Sequence, residues 1–547
     1  MSDVQDSGLL RNSAAMAIGT VASRVTGILR DIAMTAALGF FIVSDAYSLG
    51  NTLPNIIYIL IAGGALNAVF IPQLVRHMKS DEDDGKAFAD RLLTIVGLVL
   101  FILSVVSVIA APWIVRIYTS SGLSNTEYEL AVAFARLCLP QIFFYGAYTM
   151  LQQVLNARGK FAAAMFAPIA NNLIAIIVFV GFIIVVAPTP ETLQTLSSEQ
   201  VWWLGLGTTL GVVLQALVLF PSLIKSGYVF RPRWDWKGSG LGHAGSLAIW
   251  TLGLVAVNQI AYAVITRLAT SANVEAAMLG EVATGLTTYQ KAHLIFILPH
   301  SVITVSLVTA LLPQLSRLAH AGNFLDLGRD VSRAARMMLA LIVPVAGLLI
   351  VTAPRITILL FGYGAAGIDA ARAAGVVVAM FAFGLPAYSL VYVLYRAWYA
   401  MEDTRSPFWL ALILNVINLI VAVPLFSAAP VTSRISMLAV SYSVAYTITA
   451  AIAWWSLRSR IQSLETRKTL LVFIRLVIAT AVGSTAAWLT YAIDFTSIIE
   501  RFFLAGILIN LILAWLVGFL AFVLAAHLLK IDEVSQGISM IRRRLGR

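Results

Sequence analysis

The chain of 547 residues is poor in charge: Asp, Glu, Lys and Arg together make up 12% of it, against 60% hydrophobic residues. Soluble globular domains carry about twice that share of charge, so a water-facing globule is excluded. Cysteine is almost missing. Cys138 stands alone, which excludes an intramolecular disulfide and a cysteine-based metal site. There is no Walker-type phosphate loop, no His/Cys metal cluster and no convincing pair of catalytic acids, so nothing points to ATP hydrolysis or group transfer. The opening "MSDVQDSGLLRNSAAMAIG" lacks a basic n-region and a small-residue cleavage site, so the first apolar segment is expected to stay as a span.

What fills the chain instead is a succession of apolar runs, each long enough for a bilayer at roughly 17 to 25 residues. These predict an all-α polytopic membrane protein of about fourteen transmembrane helices, with no separate soluble domain. The expected centres are Ile18, Leu60, Leu103, Phe144, Val178, Val212, Val255, Thr304, Ile342, Phe381, Leu412, Ala445, Ala481 and Ile512. The net charge of +11 follows topology rather than a nucleic-acid partner. Alternate loops hold Arg76, Lys79, Lys86 and Arg91, then Arg158 and Lys160, then Lys225, Arg231, Arg233 and Lys237, and the tail ends "RRRLGR". The opposite loop "APTPETLQTLSSEQ" has no basic residue. By the positive-inside rule both termini are expected in the cytoplasm.

The sequence repeats itself. Pro72 and Pro313 in "IPQLVRH" and "LLPQLSRLAH", Pro140 and Pro386 in two "LP" segments, and Pro168 and Pro407 recur at offsets of about 240 residues. That distance covers about six spans, an even number, so the halves are expected to be parallel repeats related by an axis along the membrane normal. The expected divisions are 1–237 and 238–468 for two six-helix lobes, 469–530 for two additional C-terminal helices, and 531–547 for a basic cytoplasmic tail. Small residues in "AGGALNA" (62–68) permit close helix approach, and the solvated turn "KSDEDDGK" spans 79–86.

Some charges do not sit at helix ends. In "SRVTGILRD", Arg24 lies about 20 Å along the first span, too deep to snorkel easily, and a central arginine costs at least a few kcal/mol. Arg24 and Asp31 are seven residues apart on nearly one stripe, with Arg30 turned away by roughly a third of a circle. Either Arg24 and Asp31 form a structural network, or the segment is an anion site, which we favour. Asp45 opens the second span as a cap or a functional acid; Asn55 follows Pro54, where backbone groups are freed to meet polar ligands. Lys291 and His293 in "YQKAHLIFILPH" occupy the matching span of the second half. Arg136, Arg267 and Arg396 read as pairing or interfacial residues, and Arg475 can snorkel.

"SRVTGILRD", "SDAYSLGNTLPN", "ALLPQLSRLAHAG" and "ARGKFAAAMFAP", in their order and on their spans, resemble the MurJ/MviN family of lipid II flippases, within the multidrug/oligosaccharidyl-lipid/polysaccharide exporter superfamily. The resemblance covers nearly the whole chain, and "LPNIIYILIAGGAL" looks most like its actinobacterial branch. It implies a transporter rather than an enzyme: two lobes alternating access around a cationic cavity in the bacterial plasma membrane, moving undecaprenyl-pyrophosphate-linked disaccharide pentapeptide from the inner to the outer leaflet for peptidoglycan synthesis. Arg24 and Arg30 would bind the pyrophosphate, Asp31 and Asp45 would serve gating or coupling, and the last two helices would form a lipid-tail groove. No cofactor is implied beyond coupling to membrane potential or a monovalent cation, for which Asn258, Asn415 and Asn418 are weak ion-site candidates. Partners would be lipid II, membrane lipids and the cell-wall synthesis machinery.

Two positions depart from the family pattern. Tyr58 and Leu294 stand where many members have arginine, and Lys291 or His293 is the candidate replacement. Competing readings are a polysaccharide-lipid or drug exporter of the same superfamily and a membrane glycosyltransferase. A drug antiporter needs a buried carboxylate where this chain has arginine, and a glycosyltransferase needs an outward acidic site that the sequence does not supply.

Overall fold

A backbone in hydrocarbon finds no water, so each apolar run must satisfy its own N–H and C=O groups by forming helix. The computed structural model describes residues 2–60, 83, 85–189, 191–193, 195–235, 245–282, 284–461, 463–493 and 503–534, and every described element is helical. Among the described residues, twelve segments are long and apolar enough to cross a membrane, and each holds one expected centre from Leu103 to Ile512. Ile18 falls in α1 (Ser2–Leu38), and Leu60 lies just beyond α2 (Ile42–Tyr58). Pro72, residues 62–68, Arg76, Lys79, Lys237 and the tail arginines lie outside the described residues.

The chain forms two compact units, Met1–Val274 with Gly364–Ala366, and Glu275–Tyr363 with Gly367–Arg547. Unit 1 continues through α3 (Lys86–Ile109), α4 (Ala111–Tyr118), α5 (Asn125–Cys138), α6 (Gln141–Ala157), α7 (Phe161–Val186), α8 (Ser198–Leu217), α9 (Phe220–Lys225) and most of α10 (Gly245–Leu279). Its packing boundary falls inside α10, between Val274 and Glu275, whereas the repeat in the sequence led to an expected division at residue 237. Helix starts are written locally: Ser124 Oγ accepts from the Glu127 N–H and the Glu127 carboxylate accepts from the Ser124 N–H, and Ser197 and Gln200 repeat this box at α8.

Within unit 1, α1 packs along α7, α7 along α8, and α2 on α5. Tyr47 of α2 is the hub. Its ring meets Phe134 and Phe179 edge-on at 5.5 Å each, and its hydroxyl is 2.7 Å from Thr208 Oγ1, so one buried side chain joins four helices. Gly50 makes the α2 to α5 approach possible, because a Cβ there would stand 2.8 Å from Phe134 Cβ.

Unit 2 holds α11 (Leu286–Pro299), α12 (Val305–His320), α13 (Phe324–Phe361), α14 (Ile368–Ala400), α15 (Arg405–Ala428), α16 (Arg434–Ile461), α17 (Thr466–Tyr491) and α18 (Phe503–Leu528). A π-helical turn, His300–Thr304, follows Pro299 and widens the span between α11 and α12; the helix containing Pro54 also passes into π geometry, at Ile59. The core gathers Trp398, Leu327, Val331, Leu394 and Trp454. The C-terminal pair α17 and α18 is fastened to α13 by Trp515 Nε1 donating to Thr352 Oγ1 at 3.0 Å and by a buried Leu348, Ala487 and Ala514 cluster.

Candidate functional site

In α1, the Arg24 side chain is exposed and has no hydrogen-bond or ion-pair partner among the described residues. Arg30 is held. Its Nη1 donates to Asn172 Oδ1 at 3.2 Å and its Nη2 to Asp31 Oδ2 at 3.3 Å, while the side chain stays 36% exposed. The Arg24 to Asp31 network, the less favoured of the two readings, is therefore not formed. Asp31 pairs instead with its sequence neighbour Arg30, whose guanidinium bridges the carboxylate and Asn172.

Asn172 is the residue that sequence reasoning missed. It sits on α7 one turn after Pro168, buried in an apolar helix, and its Nδ2 donates to Ser23 O at 3.1 Å and Thr26 Oγ1 at 3.0 Å. Gly27 faces it, and a Cβ there would lie 3.6 Å from Asn172 Nδ2, an ordinary contact. The amide thus has its oxygen fixed toward Arg30. The adjacent Asn171 and Asn172 in an otherwise apolar helix were the available signal.

Asp45 is buried near the start of α2 and accepts from Asn273 Nδ2 at 2.8 Å; the same Nδ2 donates to Phe40 O at 3.0 Å. The reading of Asp45 as a cap gives way to a link between α2 and α10, because Phe41 holds the N-cap position. Asn55 is exposed beyond Pro54, with no side-chain partner among the described residues. Tyr58, in place of a family arginine, is buried with its ring 6.4 Å from Tyr145.

In unit 2, Lys291 is buried, and His293 stands 3.4 Å from the Tyr442 hydroxyl with its ring among Phe296, Phe381 and Tyr442. Of the ion-site candidates, Asn415 and Asn418 share α15 but are engaged, Asn415 with Ala411 O at 2.8 Å and Asn418 with Ser441 Oγ at 3.0 Å. Asn258 is exposed on α10 in the other unit. Among the described residues there is no cluster of His, Cys, Asp and Glu fit for a metal. Arg267 donates to Arg116 O at 3.3 Å, and Arg396 lies over the Tyr392 ring at 4.6 Å, consistent with pairing roles.

The family model described as lipid II flippase MurJ matches residues 34–514. The chain belongs to the MurJ family. It is 26% identical over 495 residues to a probable lipid II flippase MurJ of Rhizobium meliloti (strain 1021), covering 89% of this chain and 88% of that one. A probable lipid II flippase MurJ of Thermotoga maritima is 26% identical over 528 residues, 96% of this chain and 98% of that one. Among solved structures, a lipid II flippase MurJ in an inward closed conformation superposes with a TM-score of 0.70 at 19% identity, over 97% of this chain and 99% of that one. An inward-facing multidrug resistance MATE transporter of the MOP superfamily gives 0.61 at 16% identity, over 81% and 96%. The fold is thus shared with these solved structures, and membership of the MurJ family makes this chain a multi-pass flippase rather than an enzyme.

Proposed function

We propose that this chain carries lipid II from the inner to the outer leaflet of the bacterial plasma membrane by alternating access, with both termini cytoplasmic and with Arg24 and Arg30 receiving the pyrophosphate. One observation carries the site: Arg24 is an exposed guanidinium within a span and has no partner among the described residues, beside an Arg30 already oriented by Asp31 and Asn172. A pyrophosphate crossing hydrocarbon bare is prohibitively costly, whereas the polyprenyl tail can remain in lipid. Charge-assisted bonds from the guanidiniums of two arginines whose backbones are about 9 Å apart along the α1 axis replace the water the pyrophosphate gives up. Asn55 adds a neutral polar contact.

Asp31 and Asp45 are proposed as gating or coupling groups, since each is a buried carboxylate, Asp31 paired with the adjacent Arg30 and Asp45 bonded to Asn273 on α10. Lys291 is proposed to supply cationic character where arginine is missing at Tyr58 and Leu294; His293, engaged in an aromatic cluster, is the weaker substitute. Coupling is proposed to membrane potential or a monovalent cation, with exchange of lipid II to the cell-wall synthesis machinery outside.

The test is depletion of the protein with leaflet-specific measurement of lipid II, complemented by wild type or Arg24→Ala. Outer-leaflet lipid II should fall on depletion and be restored by wild type alone. An unchanged outer pool rejects the reading.

A further inference from the structure

Three helices of unit 2 gather aromatic residues into one cluster, whose open side we term the recess. Tyr388, Tyr392, Tyr395 and Tyr399 recur every three or four residues on α14 and so share a stripe, as do Tyr442 and Tyr446 on α16. Tyr446 lies 4.9 Å from Tyr388 and 4.6 Å from Tyr442 between ring centroids. His300, at the π turn after α11, packs on Tyr388 at 4.5 Å and Tyr392 at 5.0 Å. Arg396 lies over the Tyr392 ring and donates to its hydroxyl.

Depth makes this cluster unusual. Tyr388 and Tyr446 sit near the middle of helices of 33 and 28 residues, yet both are only half-buried, and the Tyr388 hydroxyl has no hydrogen-bond partner among the described residues. Tyrosine favours membrane interfaces because its hydroxyl needs water; at mid-span a hydroxyl facing hydrocarbon goes unsatisfied. The recess therefore faces something polar. Residues 370–400, 434–461 and 286–299 contain no Asp or Glu, which disfavours a cationic guest. Ring faces with hydroxyls and a guanidinium at their edges suit a neutral polyol: the C–H faces of a pyranose lie on the rings and its hydroxyls bond to the polar tips.

We propose that this recess binds the sugar portion of the transported headgroup, with Tyr388 and Tyr446 as the stacking residues and Arg396 as a donor at its end. The proposal rests on the reading of lipid II as cargo. Occupancy requires only that the headgroup enters unit 2 at some stage of its passage.

The test uses the full chain in lipid nanodiscs, titrated with undecaprenyl pyrophosphate and with its disaccharide derivative lacking the peptide. The sugars should tighten wild-type binding about tenfold, and Tyr388→Leu with Tyr446→Leu should abolish that gain while leaving undecaprenyl pyrophosphate binding unchanged. Tyr388→Phe with Tyr446→Phe keeps the rings and should lose about threefold of the gain; it carries the test if the leucine variant fails to fold. Equal weakening of both ligands would assign the recess to the polyprenyl tail and overturn the proposal, as would a sugar gain untouched in both variants. A wild type that binds neither ligand overturns the lipid II reading as well, which separates that failure from this one.

Discussion

Arg30 and Asn172 meet where α1 packs along α7, with Nη1 donating to Oδ1 over 3.2 Å. Because the other end of the amide is occupied by Ser23 and Thr26, the asparagine presents a neutral acceptor to the guanidinium and leaves its positive charge available. Asn172→Asp converts that acceptor into a second carboxylate beside Asp31. Lipid II affinity should then fall by about tenfold or more, because pyrophosphate must compete with two internal anions. Asn172→Ala should cost less, about three- to tenfold, by loosening Arg30 without neutralising it. Binding measured in nanodiscs decides, and an Asn172→Asp variant that binds as wild type removes Arg30 from the anion site.

Arg30→Ala should weaken lipid II binding far more than Arg475→Ala. Both remove one guanidinium, so a general loss of positive charge affects them alike. Arg475 is exposed near the start of α17, where its Nη1 reaches Lys530 O at 3.5 Å. Arg30 is held on α1 between Asp31 and Asn172. Equal binding by the two variants would remove the pyrophosphate assignment.

Much of this was legible in the sequence. Apolar run length gave the spans, because hydrocarbon leaves the backbone no alternative to helix, and the depth of Arg24 and Arg30 marked α1 as special. Which partner each charge takes was not legible. Helical stripes order Cα positions, but an arginine side chain reaches far enough to bond its immediate neighbour, as Arg30 does with Asp31. Contacts between distant segments, such as Asn172 with Arg30 or Asn273 with Asp45, depend on packing that periodicity does not encode. The tyrosine recess was hidden for the same reason: its stripes on α14 and α16 become one surface only when those helices are side by side.

Asp45 offers a way to separate charge from fit. Asn273 Oδ1 is buried without a hydrogen-bond partner, so Asp45→Asn keeps an acceptor for Asn273 Nδ2 and brings an N–H that can meet the orphaned oxygen. Thermal stability should be retained or rise slightly, while transport falls if the carboxylate serves gating. Asp45→Ala should instead lower stability by about 1 to 3 kcal/mol, since a buried donor loses its acceptor. Melting curves and flipping assays on both variants give the comparison; full transport by Asp45→Asn would remove the acid from the coupling scheme.

Arg336 fastens the C-terminal helix pair. It is buried on α13 and reaches Glu465 Oε2 at 2.7 Å, ahead of α17, and Glu533 Oε1 at 2.9 Å, after α18. Arg336→Ala leaves two carboxylates facing one another. Breaking a buried pair costs about 3 to 5 kcal/mol; with Glu465 a third exposed, about 2 to 3 kcal/mol is expected. Adding Glu465→Gln and Glu533→Gln should recover part of the loss by removing the stranded charges. Unfolding of the purified protein measures both, and a triple variant no more stable than the single would mean that Arg336 acts through packing rather than charge.

Asp403, in the turn between α14 and α15, supplies a pH-dependent contribution whose sign can be worked out. Desolvation pushes its carboxyl upward, but donation from the Ser406 N–H at 2.9 Å and hydroxyl at 2.7 Å, with Arg460 at 3.4 Å, outweighs this and holds it below the ordinary carboxylate value. A folded-state value below the unfolded one means the stabilisation is present above the unfolded value and is lost as pH falls through the folded value. Asp403→Asn retains an acceptor for Ser406 but loses the charge, so it should be less stable than wild type by about 1 kcal/mol at neutral pH. That gap should close as the pH is lowered below about 4, where the wild-type carboxyl takes up its proton and becomes a neutral acceptor like the amide. Parallel unfolding measurements across this range test the argument, and a gap that stays constant into acid would show that the charge on Asp403 contributes nothing.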